Sequence, residues 1–407
     1  MARISIMATS PLLHSLFLAY LCQYHPGDAF GSIGTQPSSS RHHSIRKTIS
    51  PIIMAQTDVT AADATAASDT AATATYETID GISSPVLLEK YDTFLLDMWG
   101  VMHNGSEPYE GVLEAVEGLK KAGKKMIILS NSSKRRESSE KMLVKLGFNP
   151  SDFDNIITSG DVSHTLLQNN AASIGCQNWD ILTNLIDQKK QNVFVFGSGD
   201  EDEVYCTSAG WTLSTIDEAD LILSRGTFTI NDGTTIISKK ENEAEYWKVM
   251  EESMVVAAKR KVPMLVSNPD KVRPEEGLPP MPGEIGSTYE RFVWTSHCSP
   301  VGDMTEEKAR AYVKYIGKPF REVFDIALGS DDRSRAIMVG DALETDVVGG
   351  SITAGVDTLW VVNDGIHGKD VEEKGADGVL DSFNGNEFTY AYGKKVVPRY
   401  LTNHFRW

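Results

Sequence analysis

The segment Thr93-Phe94-Leu95-Leu96-Asp97-Met98-Trp99-Gly100-Val101 decides the fold of this chain. A short apolar run, 93–96, ends at a carboxylate, and a glycine-containing loop follows, which predicts a buried strand ending at Asp97. In open α/β sheets, ligands bind outside the carboxyl ends of the strands. A carboxylate at that place can attack phosphorus and form an aspartyl phosphate. An aspartate that closes a strand also serves as a turn or cap residue, so this segment alone does not establish a nucleophile.

Strand and helix patterns alternate on both sides of a middle region, in the order expected for a parallel sheet. After Asp97 come a helical pattern, an apolar strand and a second helical pattern that Gly147 and Pro150 end: 110–122, 125–129 and 134–146. Near the C-terminus a strand, a helix and another strand follow in the same way: 336–339, 343–353 and 357–362. We interpret these segments as one parallel sheet built from two separated parts of the chain.

The middle region has strands and helices of its own, which predicts an inserted α/β domain. Strands are predicted at 193–196, 221–223 and 264–266, and helices at about 239–259 and 305–315. The alternative is one large continuous sheet. The predicted organisation is a targeting presequence (1–57), a disordered linker (58–87), a first core part (88–154), the insertion (155–300), a second core part (301–390) and a C-terminal tail (391–407).

The N-terminus is typical of a targeting sequence. Arg3 precedes an apolar stretch that reaches Cys22, the pair Ala29-Phe30 follows, and residues 31–57 contain no Asp or Glu. This signal-like segment followed by a transit-like segment resembles the two-part plastid presequences of algae with complex plastids. We therefore expect a plastid location, with a mitochondrial presequence or a plain secretory signal as the alternatives. The following Ala/Thr/Asp-rich residues offer too little apolar surface to offset the entropy of ordering them.

Composition and charge restrict the classes of partner. The chain has 407 residues, 41% of them hydrophobic, and a formal net charge of −17. Such a surface repels nucleic acid and anionic membranes, and the body of the chain has no apolar run long enough to span a bilayer. None of the four cysteines lies in a CxxC or zinc-type spacing, which favours free or buried thiols: Cys22, Cys176, Cys206 and Cys298.

Three further segments have the chemistry of a phosphate and metal site. Ser130-Asn131-Ser132-Ser133 follows a predicted strand and offers a hydroxyl and loop N–H groups to an anion, although such a segment also serves as a helix N-cap. Asp341 ends a later strand, and Asp346 lies five residues on; Mg²⁺ usually takes one or two carboxylates. Gly317-Lys318-Pro319 supplies a cation just before a predicted helix at 320–328.

These four segments, in this order, resemble motifs I to IV of the haloacid dehalogenase superfamily. The insertion resembles the C2-type cap of its class IIA branch, which includes NagD-like and 4-nitrophenylphosphatase-like enzymes. Three longer segments resemble one subgroup of that branch: residues 97–105, Asn268-Pro269-Asp270 and Asn363-Asp364-Gly365-Ile366-His367. The similarity covers about residues 88–370, and it implies a Rossmann-like parallel-sheet core with an inserted α/β cap.

The resemblance implies roles for particular residues. Asp97 would be the nucleophile and a Mg²⁺ ligand, together with the backbone carbonyl of Trp99. Phosphate would be held by Ser130, by the backbone of Asn131 and by Ser132. Lys318 would orient phosphate and nucleophile, Asp341 would bind Mg²⁺, and Asp346 would support the metal. The implied substrate is a small phosphorylated metabolite, and caps of this class often pair, which predicts a homodimer through the cap.

The chain departs from the common pattern at Trp99. Most phosphatases of the superfamily have a second aspartate there, which acts as general acid and base, and an indole cannot exchange that proton. General acid–base help is worth about 10²–10⁴-fold. The enzyme would then be slow, need good leaving groups, or use another acid such as His103 or a substrate group. Two other functions therefore stay open: a catalytically weak phosphate-ligand-binding or interaction protein, and phosphonate cleavage or phosphoryl transfer through the aspartyl intermediate.

Two glycine-containing segments have structural interpretations. His103-Asn104-Gly105 contains Asn-Gly, the strongest short signal for a hairpin turn. Gly197-Ser198-Gly199 lacks the third glycine and the distant acid of a dinucleotide-binding fingerprint, so we interpret it as a loop of the cap.

Overall fold

The computed structural model describes residues 76–199, 201–273, 279–297, 304–385 and 395–407. The predicted presequence 1–57, its Ala29-Phe30 pair and the linker up to residue 75 lie outside the described residues. Cys22 and Cys298 also lie outside them, whereas Cys176 and Cys206 are free thiols, as predicted.

The strands within the described residues are β1 (Glu77–Thr78), β2 (Thr93–Leu96), β3 (Lys125–Ser130), β4 (Asn155–Thr158), β5 (Asn192–Gly197), β6 (Thr212–Leu213), β7 (Leu221–Ser224), β8 (Thr229–Asn231), β9 (Ile236–Ser238), β10 (Met264–Val266), β11 (Val313–Tyr315), β12 (Ala336–Gly340), β13 (Asp357–Val361) and β14 (Tyr400–Thr402). The α-helices are α1 (Pro85–Lys90), α2 (Val112–Lys121), α3 (Arg136–Lys145), α4 (Ser159–Leu167), α5 (Asp180–Asp187), α6 (Asp202–Ser208), α7 (Glu243–Arg260), α8 (Pro282–His297), α9 (Glu306–Arg310), α10 (Arg321–Leu328) and α11 (Gly368–Gly385).

The core sheet is parallel throughout and has the order β1-β14-β13-β12-β2-β3-β4. Its central strand β2 lies between β12 and β3, in a register that pairs Leu96 with Val339 on one side and Ile128 on the other. Side chains of β2 alternate between two apolar clusters: Phe94 and Leu96 belong to one, and Leu95 belongs to the other. Both faces of this strand are therefore buried, which explains its uniformly apolar sequence.

The inserted domain contains a second sheet of order β11-β10-β7-β5-β8-β9, with β6 paired to the start of β5. Strand β8 pairs antiparallel with both β5 and β9, and the other pairings of this sheet are parallel. One apolar cluster contains residues of both domains, such as Leu95 in the core and Val195, Leu223 and Leu265 in the cap. The α/β fold with a Rossmann-like core and an inserted cap is therefore confirmed, and the single continuous sheet is wrong.

Several predicted boundaries differ from the structure. Residues Glu77–Thr78 and Pro85–Lys90, partly inside the predicted linker, form β1 and α1, because Ile82 and Leu87 are fully buried against the core. The tail predicted at 391–407 contributes β14, which pairs with both β1 and β13. At the cap boundaries, β4 belongs to the core sheet and β11 to the cap sheet, so the insertion begins after β4 and reaches β11.

Two predicted helices also differ. Within 305–315 the helix stops at Arg310, because Val313–Tyr315 pairs with β10 instead. The helix predicted at 343–353 is present as two π-helical segments, Leu343–Val347 and Gly349–Ala354. Such wider turns occur often at functional sites. No helix among the described residues combines the length and the apolar content that crossing a membrane requires.

Candidate active site

Parallel strands bring the predicted site residues to one edge of the core sheet. Asp97 directly follows β2, and its N–H donates to the Val339 carbonyl of the neighbouring strand β12 at 3.0 Å. Asp341 directly follows β12, and Ser130 is the last residue of β3. Because carboxyl ends of adjacent parallel strands share an edge, residues far apart in sequence meet here.

Three carboxylates form the centre of the site. Oxygen atoms of Asp97, Asp341 and Asp346 all lie within 4.8 Å of one another. Asp341 and Asp346 are 4% and 1% exposed, and the Asp97 side chain is 14% exposed. The most accessible of the three is thus the one at the position of the predicted nucleophile.

Lys318 provides the positive charge that holds two of these carboxylates. Its Nζ lies 2.6 Å from Asp97 Oδ1 and 2.7 Å from Asp346 Oδ1, and the residue is 2% exposed. The two anions hold the pKa of this ammonium above its ordinary value, although burial alone would lower it. The two carboxylates therefore favour the charged form of Lys318.

The side chain of Asn131 fixes the position of Lys318. Its Oδ1 accepts from the Lys318 N–H at 2.7 Å, and its Nδ2 donates to the Lys318 carbonyl at 2.9 Å. A Cβ at Gly317 would lie 2.6 Å from this Oδ1, so the close approach requires glycine there. The sequence predicted a role for the backbone of Asn131, and this second role of its amide is new.

The two serines of the same loop differ in their surroundings. The Ser130 hydroxyl accepts from the Ser132 N–H at 3.2 Å, whereas the Ser132 hydroxyl accepts from the Lys134 N–H at 3.3 Å. The Ser132 carbonyl accepts from the Gly160 N–H at the start of α4. Ser130 thus ends β3, the strand next to β2, and the hydrogen bonds of Ser132 stabilise the loop.

Two glycines leave room for the Asp341 carboxylate. A Cβ at Gly100, whose φ is +80°, would lie 2.2 Å from Asp341 Oδ2, and one at Gly365 would lie 2.3 Å from Asp341 Cβ. The Ile366 N–H donates to Asp341 Oδ2 at 2.8 Å. The carboxylate is therefore confined by backbone on two sides, which makes its position precise.

The charges of the site are not balanced by protein groups alone. Burial raises the pKa of Asp97 against the opposing effect of Lys318, and burial with the two neighbouring anions raises that of Asp341. Burial likewise raises the pKa of Asp346 to about 6. One ammonium among three carboxylates leaves an excess of two negative charges, and oxygen-ligand clusters of this kind suit Mg²⁺. The residues present therefore fit the predicted metal.

The loop after Asp97 presents Trp99 at the surface of the site. Its hydrogen bonds run from His103 N–H to the Met98 carbonyl and from Gly100 N–H to the His103 carbonyl. Among the described residues, no backbone hydrogen bond uses the Trp99 carbonyl, and its use as a metal ligand stays a prediction. The indole is 37% exposed and packs edge-on against the His103 ring, with centroids 5.9 Å apart.

His103 is a poor substitute for the missing acid. Its Nδ1 accepts from the Gly105 N–H at 2.9 Å, so the neutral ring carries its proton on Nε2. That Nε2 is buried without a partner among the described residues, and burial lowers the pKa of the ring. A neutral imidazole in this tautomer has no free lone pair with which to take a proton. The turn predicted from Asn104-Gly105 is present, and Gly105 has a φ of +94° there.

The cap contributes groups to which the sequence prediction gave no role. Asp270 Oδ1 accepts from Asn131 Nδ2 at 2.8 Å. A second link is the fully buried pair of Arg225 Nη1 and Asp202 Oδ1 at 2.6 Å, in which Arg225 Nη2 also donates to the Ser133 carbonyl of the core at 3.3 Å. The Gly197-Ser198-Gly199 loop folds around Asp202, as expected of a cap loop. Among Asp270, Arg225 and Asp202, only Asp270 lay in a segment that the sequence analysis had singled out, Asn268-Pro269-Asp270.

Comparisons with known proteins agree with this geometry. Residues 94–212 match a family model described as haloacid dehalogenase-like hydrolase, and residues 315–385 match one described as HAD-hydrolase-like. The chain is 26% identical over 270 residues to a 4-nitrophenylphosphatase of Schizosaccharomyces pombe, which covers 64% of this chain and 80% of that protein.

Two further matches cover different shares of the two chains. A NipSnap protein of Caenorhabditis elegans, K02D10.1, is 27% identical over 286 residues, which cover 67% of this chain; the chain spans about half (49%) of that relative's length. A crystal structure of a haloacid dehalogenase-like hydrolase from Brucella suis has the same fold, with a TM-score of 0.54 at 20% identity, covering 80% of this chain and 99% of that one.

Proposed function

We propose that this chain is a Mg²⁺-dependent phosphatase of a small phosphorylated metabolite, in the class IIA branch of the haloacid dehalogenase superfamily, and the two family-model matches and the similarity to a 4-nitrophenylphosphatase support the proposal. The observation that carries the proposal is Asp97 at the end of β2, held 2.6 Å from the buried Lys318 ammonium beside two further carboxylates. A turn or cap aspartate needs neither the buried cation nor the additional carboxylates.

The residues support a two-step displacement. A carboxylate oxygen of Asp97 attacks phosphorus while the bond from phosphorus to the leaving oxygen breaks, and water then cleaves the aspartyl phosphate. Lys318 keeps Asp97 ionised and in place, and the Ser130 hydroxyl with the Asn131 N–H bind the phosphoryl oxygens. Asp97, Asp341 and the Trp99 carbonyl would hold Mg²⁺, with Asp346 behind them, and the metal would reduce repulsion between carboxylate and phosphate.

The test is phosphate release from p-nitrophenyl phosphate and a panel of metabolite phosphates, with Mg²⁺ or with EDTA. We expect turnover that requires Mg²⁺ and that Asp97→Asn abolishes, since the amide is a poor nucleophile of the same size. An equal, negligible rate for both proteins on every ester would reject the phosphatase.

Trp99 favours a second candidate, a phosphate-ligand-binding protein with little turnover. Its partly exposed indole offers a fluorescence signal at the site. In that case phosphate esters would quench the indole fluorescence in the presence of Mg²⁺, and no phosphate would be released. Quenching followed by phosphate release would instead favour the phosphatase.

We also propose that residues 1–57 direct the protein to a plastid and that the cap pairs two copies of the chain. A fusion of residues 1–60 to a fluorescent protein tests the first proposal, and secretion or mitochondrial import would contradict it. Light scattering of the purified protein tests the second, and a monomeric mass at micromolar concentration would contradict it.

A further inference from the structure

We propose that Asp270, a residue of the cap, exchanges the proton that Trp99 cannot. This inference rests on the proposed phosphatase and names the group that would protonate the leaving oxygen. The second aspartate common in the superfamily belongs to the core loop after the nucleophile, whereas Asp270 follows a strand of the inserted domain.

The topology connects Asp270 to the nucleophile through Asn131 and Lys318. It follows β10, and Lys318 follows β11, the strand that pairs with β10 in parallel. The two residues are therefore delivered from adjacent strand ends of the cap sheet to the carboxyl edge of the core sheet. Asn131 joins them, since its Nδ2 donates to Asp270 Oδ1 at 2.8 Å and to the Lys318 carbonyl at 2.9 Å. Lys318 in turn touches Asp97.

The backbone around Asp270 is fixed. Its N–H donates to Asn268 Oδ1 at 2.9 Å, and its carbonyl accepts from the Gly283 N–H at 3.0 Å. Pro269 packs so closely that a Cβ at Gly283 would lie 2.0 Å from its carbonyl oxygen and a Cβ at Gly317 would lie 2.7 Å from its Cδ. A proton donor must hold its position, and this turn has little freedom to move.

The carboxyl group has one oxygen available for chemistry. Asn131 occupies Oδ1, and within the described residues no hydrogen bond reaches Oδ2. Burial, the largest influence, raises the pKa of this carboxyl to about 6 with the help of Asp346 and Glu344, against the opposing effects of Asn131 and Lys318. A group that titrates near neutrality can both give and take a proton.

Asp270 would give up one proton in the first step of the reaction and recover one in the second. As Asp97 forms its bond to phosphorus, the bond from phosphorus to the leaving oxygen breaks, and that oxygen takes the proton of the Asp270 carboxylic acid and departs as an alcohol. Asp270, now a carboxylate, takes a proton from the water that attacks the aspartyl phosphate. The bond between phosphorus and Asp97 breaks, phosphate leaves, and Asp270 is again protonated.

The experiment compares Asp270→Asn with wild type on two esters, in Mg²⁺. An alkyl phosphate needs its leaving oxygen protonated, and p-nitrophenyl phosphate does not. We expect kcat/KM for the alkyl ester to fall about 10²–10³-fold, with less than about tenfold loss for p-nitrophenyl phosphate. The matched control is Glu290→Gln, a buried cap carboxyl that accepts from the Tyr315 hydroxyl, and it should leave both rates unchanged.

The outcomes separate the two proposals. Equal losses on the two esters would show that Asp270 only positions Asn131, and no loss on either would show that it does neither; both results overturn the inference and leave the phosphatase standing. If Asp97→Asn changes neither rate in the same assay, the proposed function fails, and this inference fails with it.

Discussion

Replacing Lys318 with methionine should destabilise the protein strongly and in a pH-dependent way. The substitution keeps most of the side-chain volume and removes the ammonium that lies 2.6 Å from Asp97 and 2.7 Å from Asp346. Removing one partner of a buried ion pair costs about 3–5 kcal/mol, because the other charge stays buried without compensation. At about 2 °C per kcal/mol this corresponds to a melting temperature roughly 6–10 °C lower.

The cost should depend on pH because the carboxylates left behind can be protonated. Burial already raises the pKa of Asp97, and it raises that of Asp346 to about 6; without Lys318 both pKa values rise further. At pH 5 the variant therefore avoids most of the uncompensated charge, whereas at pH 8 it does not. Thermal unfolding without metal at these two pH values measures the difference.

The control is Lys248→Met, which removes an exposed ion pair with Glu252 on cap helix α7. Such a pair contributes about 0–1 kcal/mol, so the control should lower the melting temperature by about 2 °C or less. Two results would refute the reasoning: a Lys318→Met loss no larger than that of the control, or a loss of equal size at pH 5 and pH 8.

Three further predictions concern the same site and its attachment to the cap. Gly100→Ala should lower the free energy of unfolding by about 1–3 kcal/mol and weaken Mg²⁺ binding at least tenfold, because the added Cβ would strike Asp341 and φ is +80°. Calorimetric titration with Mg²⁺ measures the binding. The control is Gly123→Ala, where φ is also positive but no atom lies within 4 Å of the added Cβ. Without metal the protein should lose stability as the pH rises from about 4 to 6, because buried carboxyls with raised pKa values keep their protons in the folded state and lose them in the unfolded state. Mg²⁺ should therefore stabilise the protein more at pH 8 than at pH 5. A melting temperature of the metal-free protein that rises between pH 4 and pH 6 would contradict this prediction. Arg225→Met should lower stability by about 3–5 kcal/mol, since it leaves Asp202 buried and unpaired, and urea unfolding that shows less than about 1 kcal/mol would mean that solvent reaches this pair.

The sequence predicted the carboxylates of the site because each of them follows directly on a recognisable strand or turn. Asp97 and Asp341 each end an apolar strand, so periodicity predicts that both carboxylates lie at the carboxyl edge of a parallel sheet. Their meeting there was implied by the family resemblance, because periodicity does not give the strand order that puts β12 beside β2. The position of Asp346 follows from the turn after Asp341. The roles assigned to these residues stay predictions until the variants are measured.

What the sequence could not show depends on how the cap sits on the core. Asn131 reaching the backbone of Lys318, and Asp270 reaching Asn131, are contacts between segments more than 130 residues apart, and no spacing encodes them. The segment Val313–Tyr315 was wrongly predicted as helical because three residues are too few for a periodicity to show. Its partner strand β10 decides its structure, and tertiary pairing overrides local propensity there.

Because β10 pairs with β11, the cap positions Lys318 in the site as well as covering the site. Lys318 lies three residues beyond β11, so the ammonium reaches Asp97 only after a strand of the inserted domain has found its place in the cap sheet. The insertion is therefore not a detachable module. Excising it would shorten the chain to a core that retains all three carboxylates of the metal cluster but leaves Lys318 without the strand that positions it.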